Sequence, residues 1–161
     1  MKHPALRAQL AGSLEAGRLQ IRDTAAFVIA VAAAEGLLVP VIAGVDRMPH
    51  REIAKARRLA VDTAASGRLP ASFAVPGCFT VSNLGPYGAD AFHALVNPGE
   101  AAIVAVSAVR RGPVEHEGAI ALRRRVALPF TFDHRLVDGA AGALFAGDIV
   151  ATLERRDWTL V

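Results

Sequence analysis

Twenty-two residues, Thr24 to Val45 (TAAFVIAVAAAEGLLVPVIAGV), form an apolar run that limits the possible folds more than any other part of the chain. As a single helix the run would be long enough to cross a bilayer, which takes about 20 apolar residues. Glu35 sits at its centre, where an acid costs roughly 2.5–3.5 kcal/mol on insertion scales, and Gly36 and Pro40 weaken a helix further. A hairpin accommodates the same residues without that cost. Two apolar stretches, Ala25 to Ala33 and Leu37 to Ala43, flank an Ala34-Glu35-Gly36 turn, and Phe27, Val28, Ile29, Val31, Val39, Val41 and Ile42 all favour strands. The run is therefore read as a buried hairpin, with no membrane partner.

A core around such a hairpin needs apolar material from the rest of the chain. With 161 residues, 53% of them hydrophobic and 20% charged, there is enough for one packed domain over residues 1–161 without help from disulfides. Cys78 is the single cysteine, and neither a CxxC pair nor a secretory leader is present, which points to a reducing, cytoplasmic compartment. The formal net charge is only +3, so nucleic acid is not an expected partner.

Along the chain, Ala5 to Asp23 reads as two short strands around the Leu14-Glu15-Ala16-Gly17 turn. Arg51 to Ser66 places Ile53, Ala56, Ala60, Val61 and Ala64 at helical spacing, with Gly67 as the stop. Cys78 to Leu84 is a strand ending at Gly85-Pro86, after the Val75-Pro76-Gly77 break. Ala101 to Val109 and Ala119 to Phe132 read as two antiparallel strands joined by a polar Arg110 to Gly118 loop. A final helix, Ala140 to Arg155, would pack through Ala143, Leu144, Gly147, Val150 and Leu153. The class is α+β, with a mixed, mostly antiparallel sheet packed by helices.

Phosphate-loop, dinucleotide, HExxH, GxSxG and zinc-type spacings are absent, so no metal is expected. Of the five histidines, His3, His50, His93 and His116 lie near the start or in loops and read as solvated. His134 follows an apolar strand and precedes a helix, flanked by Asp133 and Arg135. On those residues alone, a structural ion pair at a strand end is as good a reading as a reactive imidazole.

The stretch Asp133-His134-Arg135-Leu136-Val137-Asp138-Gly139 resembles the DHRxxDG motif of the dihydrolipoamide acyltransferases, the E2 components of 2-oxo-acid dehydrogenase complexes. Three more blocks agree in order. Gly77 to Gly85 (GCFTVSNLG) resembles the family's G-x-F-T-[IV]-S-N-[LI]-G segment, and Asn97 to Ile103 (NPGEAAI) its N-P-P-Q-A-A-I segment. Gly36 to Ile42 (GLLVPVI) is similar to its G-L-[LV]-V-P-V-I strand. The resemblance implies the two-layer sandwich shared with chloramphenicol acetyltransferase. It also implies acyl transfer between coenzyme A, or its acyl thioester, and a dihydrolipoyl thiol, with the lipoyl group not attached to this chain.

By the same resemblance His134 is the general base, a role suited to an imidazole of pKa about 6.5. Ser82 is the hydroxyl that stabilises the oxyanion, and Asp138 supports the site, capping the last helix and pairing with Arg135 or another arginine. Ser82 and His134 are 52 residues apart, and in the family they meet across a trimer interface, so a homotrimer or a multiple of it is implied. Cys78, with no activating partner nearby in sequence, reads as a core thiol. The arginine groups Arg57-Arg58, Arg110-Arg111 and Arg123 to Arg125 stay unassigned between phosphate contacts and solvated faces.

The match begins late. His3-Pro4-Ala5-Leu6 resembles the segment that follows a long helix in the family, which implies an N-terminally short catalytic domain without lipoyl or peripheral subunit-binding domains. Alternatives kept open are a stand-alone O-acyltransferase acting on a small alcohol, a partner of a lipoyl-domain protein or of a chain supplying the missing elements, and a non-catalytic assembly module.

Overall fold

The computed structural model describes residues 2–11, 18–34 and 36–155. Its elements, in chain order, are strands β1 (Ala8–Ala11), β2 (Arg18–Ile21), β3 (Ala26–Ile29), β4 (Val31–Ala33), β5 (Gly36–Leu38) and β6 (Val41–Ala43), helix α1 (His50–Ala65), strands β7 (Phe79–Asn83), β8 (Ala102–Val106), β9 (Arg110–His116), β10 (Ala119–Arg125) and β11 (Phe130–Phe132), and helix α2 (Gly139–Glu154). The central sheet has the order β11-β8-β7-β3-β6. β3, β7 and β8 run parallel, and β6 and β11 close the edges antiparallel. The pairs β1–β2, β4–β5 and β9–β10 are separate antiparallel ribbons.

Residues paired across strands share a face. Ile42, Phe27, Phe79, Ala102 and Phe132 therefore form one row across the sheet, and Val41, Val28, Thr80, Ile103 and Thr131 form the next row on the opposite face. At one end of the first row, Ile42 packs with Ala60 of α1. At the other end, the Phe132 ring lies against Gly142 of α2, and Phe79 and Phe130 each meet Phe145 edge-on. Both helices thus cover the same face in a two-layer α+β arrangement. The opposite face carries Val28, Val41 and Ile103 together with Thr80 and Ser82.

The apolar run folds as the expected hairpin: β3 pairs with β6 and β4 with β5. Its base is buried through Val28, Val41 and Ile42, and Val31 of β4 is buried as well, whereas β5 on the outer side is open, with Leu37 65% exposed. Among the described residues no helix is long and apolar enough to cross a membrane. The Glu35 position and the Leu14–Gly17 turn lie outside the described residues. Ala5 to Arg7 belongs to a short 3-10 turn over Pro4–Arg7 instead of a strand. α1 keeps its expected register, with Ala60 and Ala64 fully buried. Gly67 ends it in the left-handed region (φ +72°), its N–H donating to the Ala64 carbonyl at 2.9 Å.

The second half of the chain departs from several expectations. Arg110 to Gly118 is no loop: β9 and β10 form a hairpin closed at Glu117-Gly118, both with positive φ, the turn that matches the twist of a two-residue hairpin. Its charges and Gly112-Pro113 disguised it, because a ribbon that projects from the core needs no apolar alternation. The Ala119 to Phe132 strand is accordingly broken between Arg125 and Phe130, and only β11 pairs with β8.

The packing face of α2 is also different. Gly142 is its buried residue and Phe145 packs on the core, while Ala143, Leu144, Gly147, Val150 and Leu153 point outward, Leu144 being 69% exposed. The helix is apolar on nearly every side, so periodicity could not select a face. The fit of Phe145 among Phe79 and Phe130, with Gly142 admitting Phe132, selects it instead.

Gly77 marks the tightest approach in the sheet. A Cβ there would stand 2.0 Å from Val28 Cγ2, and a valine held between strands cannot rotate away. Gly77→Ala should destabilise by about 1–3 kcal/mol through overpacking. Adding Val28→Ala should recover part of that loss in urea denaturation; equal loss in the single and double variants would show that the contact is not the cause.

Candidate active site

β11 ends at Phe132, and the chain turns at once. The Asp133 N–H still donates to the Ala101 carbonyl at 2.9 Å, while the Asp133 carbonyl accepts from the N–H groups of Leu136 and Val137, both at 2.9 Å. Val137 is buried in the core and pins the far side of the turn. The Arg135 guanidinium grips the Asp133 carboxylate through Nε at 2.9 Å and Nη2 at 2.5 Å, and the Arg135 N–H donates to Oδ1 at 3.0 Å. This hydrogen-bonded ion pair holds the Asp133 carboxyl below the usual carboxylate range. The flanking residues therefore pair with each other, and His134 is left exposed at the tip of the turn.

Asp138 caps α2 as expected: its Oδ1 accepts from the Ala141 N–H at 2.8 Å. The expected pairing with Arg135 is not made, because Arg135 is engaged by Asp133. Ser82 lies half-buried near the end of β7, after which Asn83 Oδ1 accepts the Gly85 N–H at 2.9 Å and starts the next turn.

Sheet register sets the distance between the two candidates. Ser82 is level with Ala105 and Asp133 with Ala101, so His134 is two strands across and about five residues along from Ser82. Spacings of about 4.8 Å between strands and about 3.3 Å per residue separate them by roughly 19 Å. Within one chain the serine and the histidine do not meet.

Cys78 is 1% exposed, and its Sγ hydrogen-bonds the Ala26 backbone, donating to the carbonyl at 3.2 Å and accepting from the N–H at 3.3 Å. Burial pushes its thiol up, away from the reactive thiolate. Arg57 and Arg58 are exposed on α1, and Arg110 pairs with Asp90 at 2.6 Å. Arg111 and Arg123 to Arg125 border a groove of about 1200 Å³ against Val150 and Leu153. That groove lies roughly 16 Å along α2 from Gly139.

Two polar features escaped the reading of the sequence. His3 is not solvated: Nε2 lies 2.8 Å from Asp148 Oδ2, and its ring sits edge-on to Phe145. Beside Thr80, two residues before Ser82, Glu100 is 7% exposed, accepts from Thr80 Oγ1, and accepts from Asn97 Nδ2 at 3.0 Å. A Glu where the resembling segment has Gln was the visible sign.

A family model for the 2-oxoacid dehydrogenases acyltransferase catalytic domain matches residues 1–161. The acetyltransferase component of the pyruvate dehydrogenase complex of Haemophilus influenzae is 35% identical over 144 residues, which is 88% of this chain and 25% of that protein. The chain thus spans about a quarter of that relative. Among solved structures, a dihydrolipoamide acetyltransferase of Azotobacter vinelandii superimposes with a TM-score of 0.87 at 32% identity, over 96% of this chain and 63% of that one. That structure concerns the catalytic roles of a serine, a histidine 52 residues later and an asparagine four residues beyond it. The cubic core of a pyruvate dehydrogenase multienzyme complex matches with the same score, identity and coverage.

Desolvation raises the Glu100 carboxyl above its ordinary value despite its two hydrogen bonds. Because the folded form then holds the proton more tightly than the unfolded one, the stability it contributes at acid pH is lost as pH rises through the raised value. Glu100→Gln should therefore be more resistant to denaturant than the parent at pH 7, with the gap closing below the ordinary glutamate pKa of about 4.3. A gap that stays constant between pH 4 and 7 would mean that ionisation of Glu100 does not oppose folding.

Proposed function

The chain belongs to the acyltransferase catalytic-domain family of the 2-oxoacid dehydrogenases, and from that premise we propose that it moves an acyl group between coenzyme A and a thiol, foremost a dihydrolipoyl group. One observation carries the reading. Ser82, His134 and Asp138 repeat the spacing of the serine, histidine and asparagine in the Azotobacter vinelandii acetyltransferase, within a fold that superimposes on it.

In this reading His134 takes the proton from the attacking thiol, so that the sulfur reaches the thioester carbonyl as a thiolate. Ser82 donates a hydrogen bond to the carbonyl oxygen as it becomes negative. His134 then returns its proton to the departing sulfur, which balances the exchange. Asp138 replaces the relative's asparagine; its cap on α2 supports the exposed turn that presents His134. Cys78 carries no acyl group, being buried and bonded to Ala26.

The wide separation of Ser82 and His134 makes the site one shared between copies: Ser82 from one chain faces His134 of the next, in a trimer or a multiple of it. The cubic core among the structural neighbours supports such an assembly. We assign residues 1–161 to the catalytic domain, treat coenzyme A and the lipoyl group as reactants, and place the protein in the cytoplasm on its single buried thiol.

His134→Ala and Ser82→Ala should each lower acetyl transfer from acetyl-CoA to dihydrolipoamide at least ~100-fold with the fold intact. A shared site adds a sharper expectation. Mixing the two inactive variants 1:1 under subunit exchange gives about one interface in four with an intact Ser82 facing an intact His134, and so about a quarter of the parent rate. Mixed oligomers that stay inactive would reject the shared site, and unimpaired single variants would reject the assigned roles.

A further inference from the structure

Beside Thr80, on the sheet face turned away from the helices, lies a buried acid, Glu100, that takes no part in the proton and acyl movements described above. Glu100 Oε2 accepts the Thr80 hydroxyl, and the Asn97 side-chain amide donates to Glu100 Oε1 at 3.0 Å and to Thr80 Oγ1 at 2.9 Å. Among the described residues no lysine or arginine pairs with it. Filling this space would take only an apolar side chain, since an uncompensated buried carboxyl opposes folding.

What Glu100 joins is more informative than what it fills. Thr80 stands two residues before Ser82 on the same strand and face. On its other side, Glu100 precedes Ala101, whose N–H donates to the Cys78 carbonyl at 3.0 Å and whose carbonyl accepts the Asp133 N–H at 2.9 Å, one residue before His134. The three side chains therefore tie the strand that presents Ser82 to the turn that presents His134.

We propose that Glu100 is a positioning residue for acyl transfer: its hydrogen bonds to Thr80 and Asn97 fix β7 against the Asn97–Ala101 turn, and through the Ala101–Asp133 bond they set where Ser82 and His134 stand. The inference rests on the proposed function. In a shared site each chain lends Ser82 to one centre and His134 to another, so one Glu100 sets half of each of two centres. A displacement of about 1 Å in such a group can cost on the order of 100-fold in rate without weakening substrate binding.

The test compares Glu100→Ala, Glu100→Gln, Thr80→Val and His134→Ala in the assembled protein, with acetyl-CoA and dihydrolipoamide as substrates. Glu100→Ala is expected to lower kcat about 10- to 100-fold with KM within about twofold. Glu100→Gln, which keeps the length and an acceptor for Asn97, should restore most of the rate. Thr80→Val removes only the hydroxyl from the strand side and should lower kcat in the same way, which keeps the test open should Glu100→Ala not fold. Changes in the Glu100→Ala, Thr80→Val double variant should fall short of the sum of the singles, as for two parts of one device.

A folded Glu100→Ala or Thr80→Val with parental kcat overturns the inference, as does a loss that appears in KM alone or a Glu100→Gln as slow as Glu100→Ala. If the parent is active and His134→Ala inactive, those outcomes leave the proposed function standing. A parent that transfers no acyl group overturns both.

Discussion

The parallel pairing of β7 with β8 is the constraint on which the rest of the structure depends. Its register, Phe79 opposite Ala102 through Asn83 opposite Val106, decides three things together. It aligns the aromatic row that receives α2, turns Thr80 and Ser82 to the face without helices, and sets Ser82 at the end of the sheet remote from His134. A slip of one residue would invert both faces. Glycine at 77 admits the close approach of Val28 just before β7 begins, and the Cys78 thiol hydrogen-bonds the backbone of Ala26. The start of the strand is thus held by steric fit and by hydrogen bonding.

Electrostatics act locally within this frame. Asp133 and Arg135 satisfy each other across a turn that leaves His134 unpaired with either. The same DHR sequence could have buried its histidine in a three-way ion pair, with the imidazole held as a cation. Coupling the flanking charges to one another leaves the imidazole exposed, and Asp138 then caps α2 one residue beyond the buried Val137. The turn is thus a device for exposure, held from below by the bond between Asp133 and Ala101.

The fold also explains why a single chain looks incomplete. One sheet face has two helices and the other carries Thr80 and Ser82, and α2 turns Leu144, Val150 and Leu153 outward. Under the proposed function, Ser82 and His134, divided between the two ends of one sheet, work together only when a second copy brings the opposite end. The distance that separates Ser82 from His134 in one chain is, under the proposed function, the feature that makes assembly a condition of activity.

Much of this was legible in residues 1–161. The hairpin showed in an apolar run interrupted by Glu35, Gly36 and Pro40, α1 in its spacing and Gly67 stop, and the candidate residues in blocks whose order could be compared with a family. Local rules reach that far because strand preference, capping and turn chemistry act within a few residues. The packing face of α2 was beyond them, since an apolar helix has no periodic side to choose until Phe145 and Gly142 meet specific rings. The β9–β10 ribbon was hidden because a projecting hairpin is not patterned by a core. The Thr80–Asn97–Glu100 network and the 19 Å between Ser82 and His134, roughly, exist only once β7, β8 and β11 are in register. Sequence by itself determined which groups the protein carries and the elements that hold them; tertiary structure alone decided which of those groups meet, because register and burial are set by contacts between segments far apart in the chain.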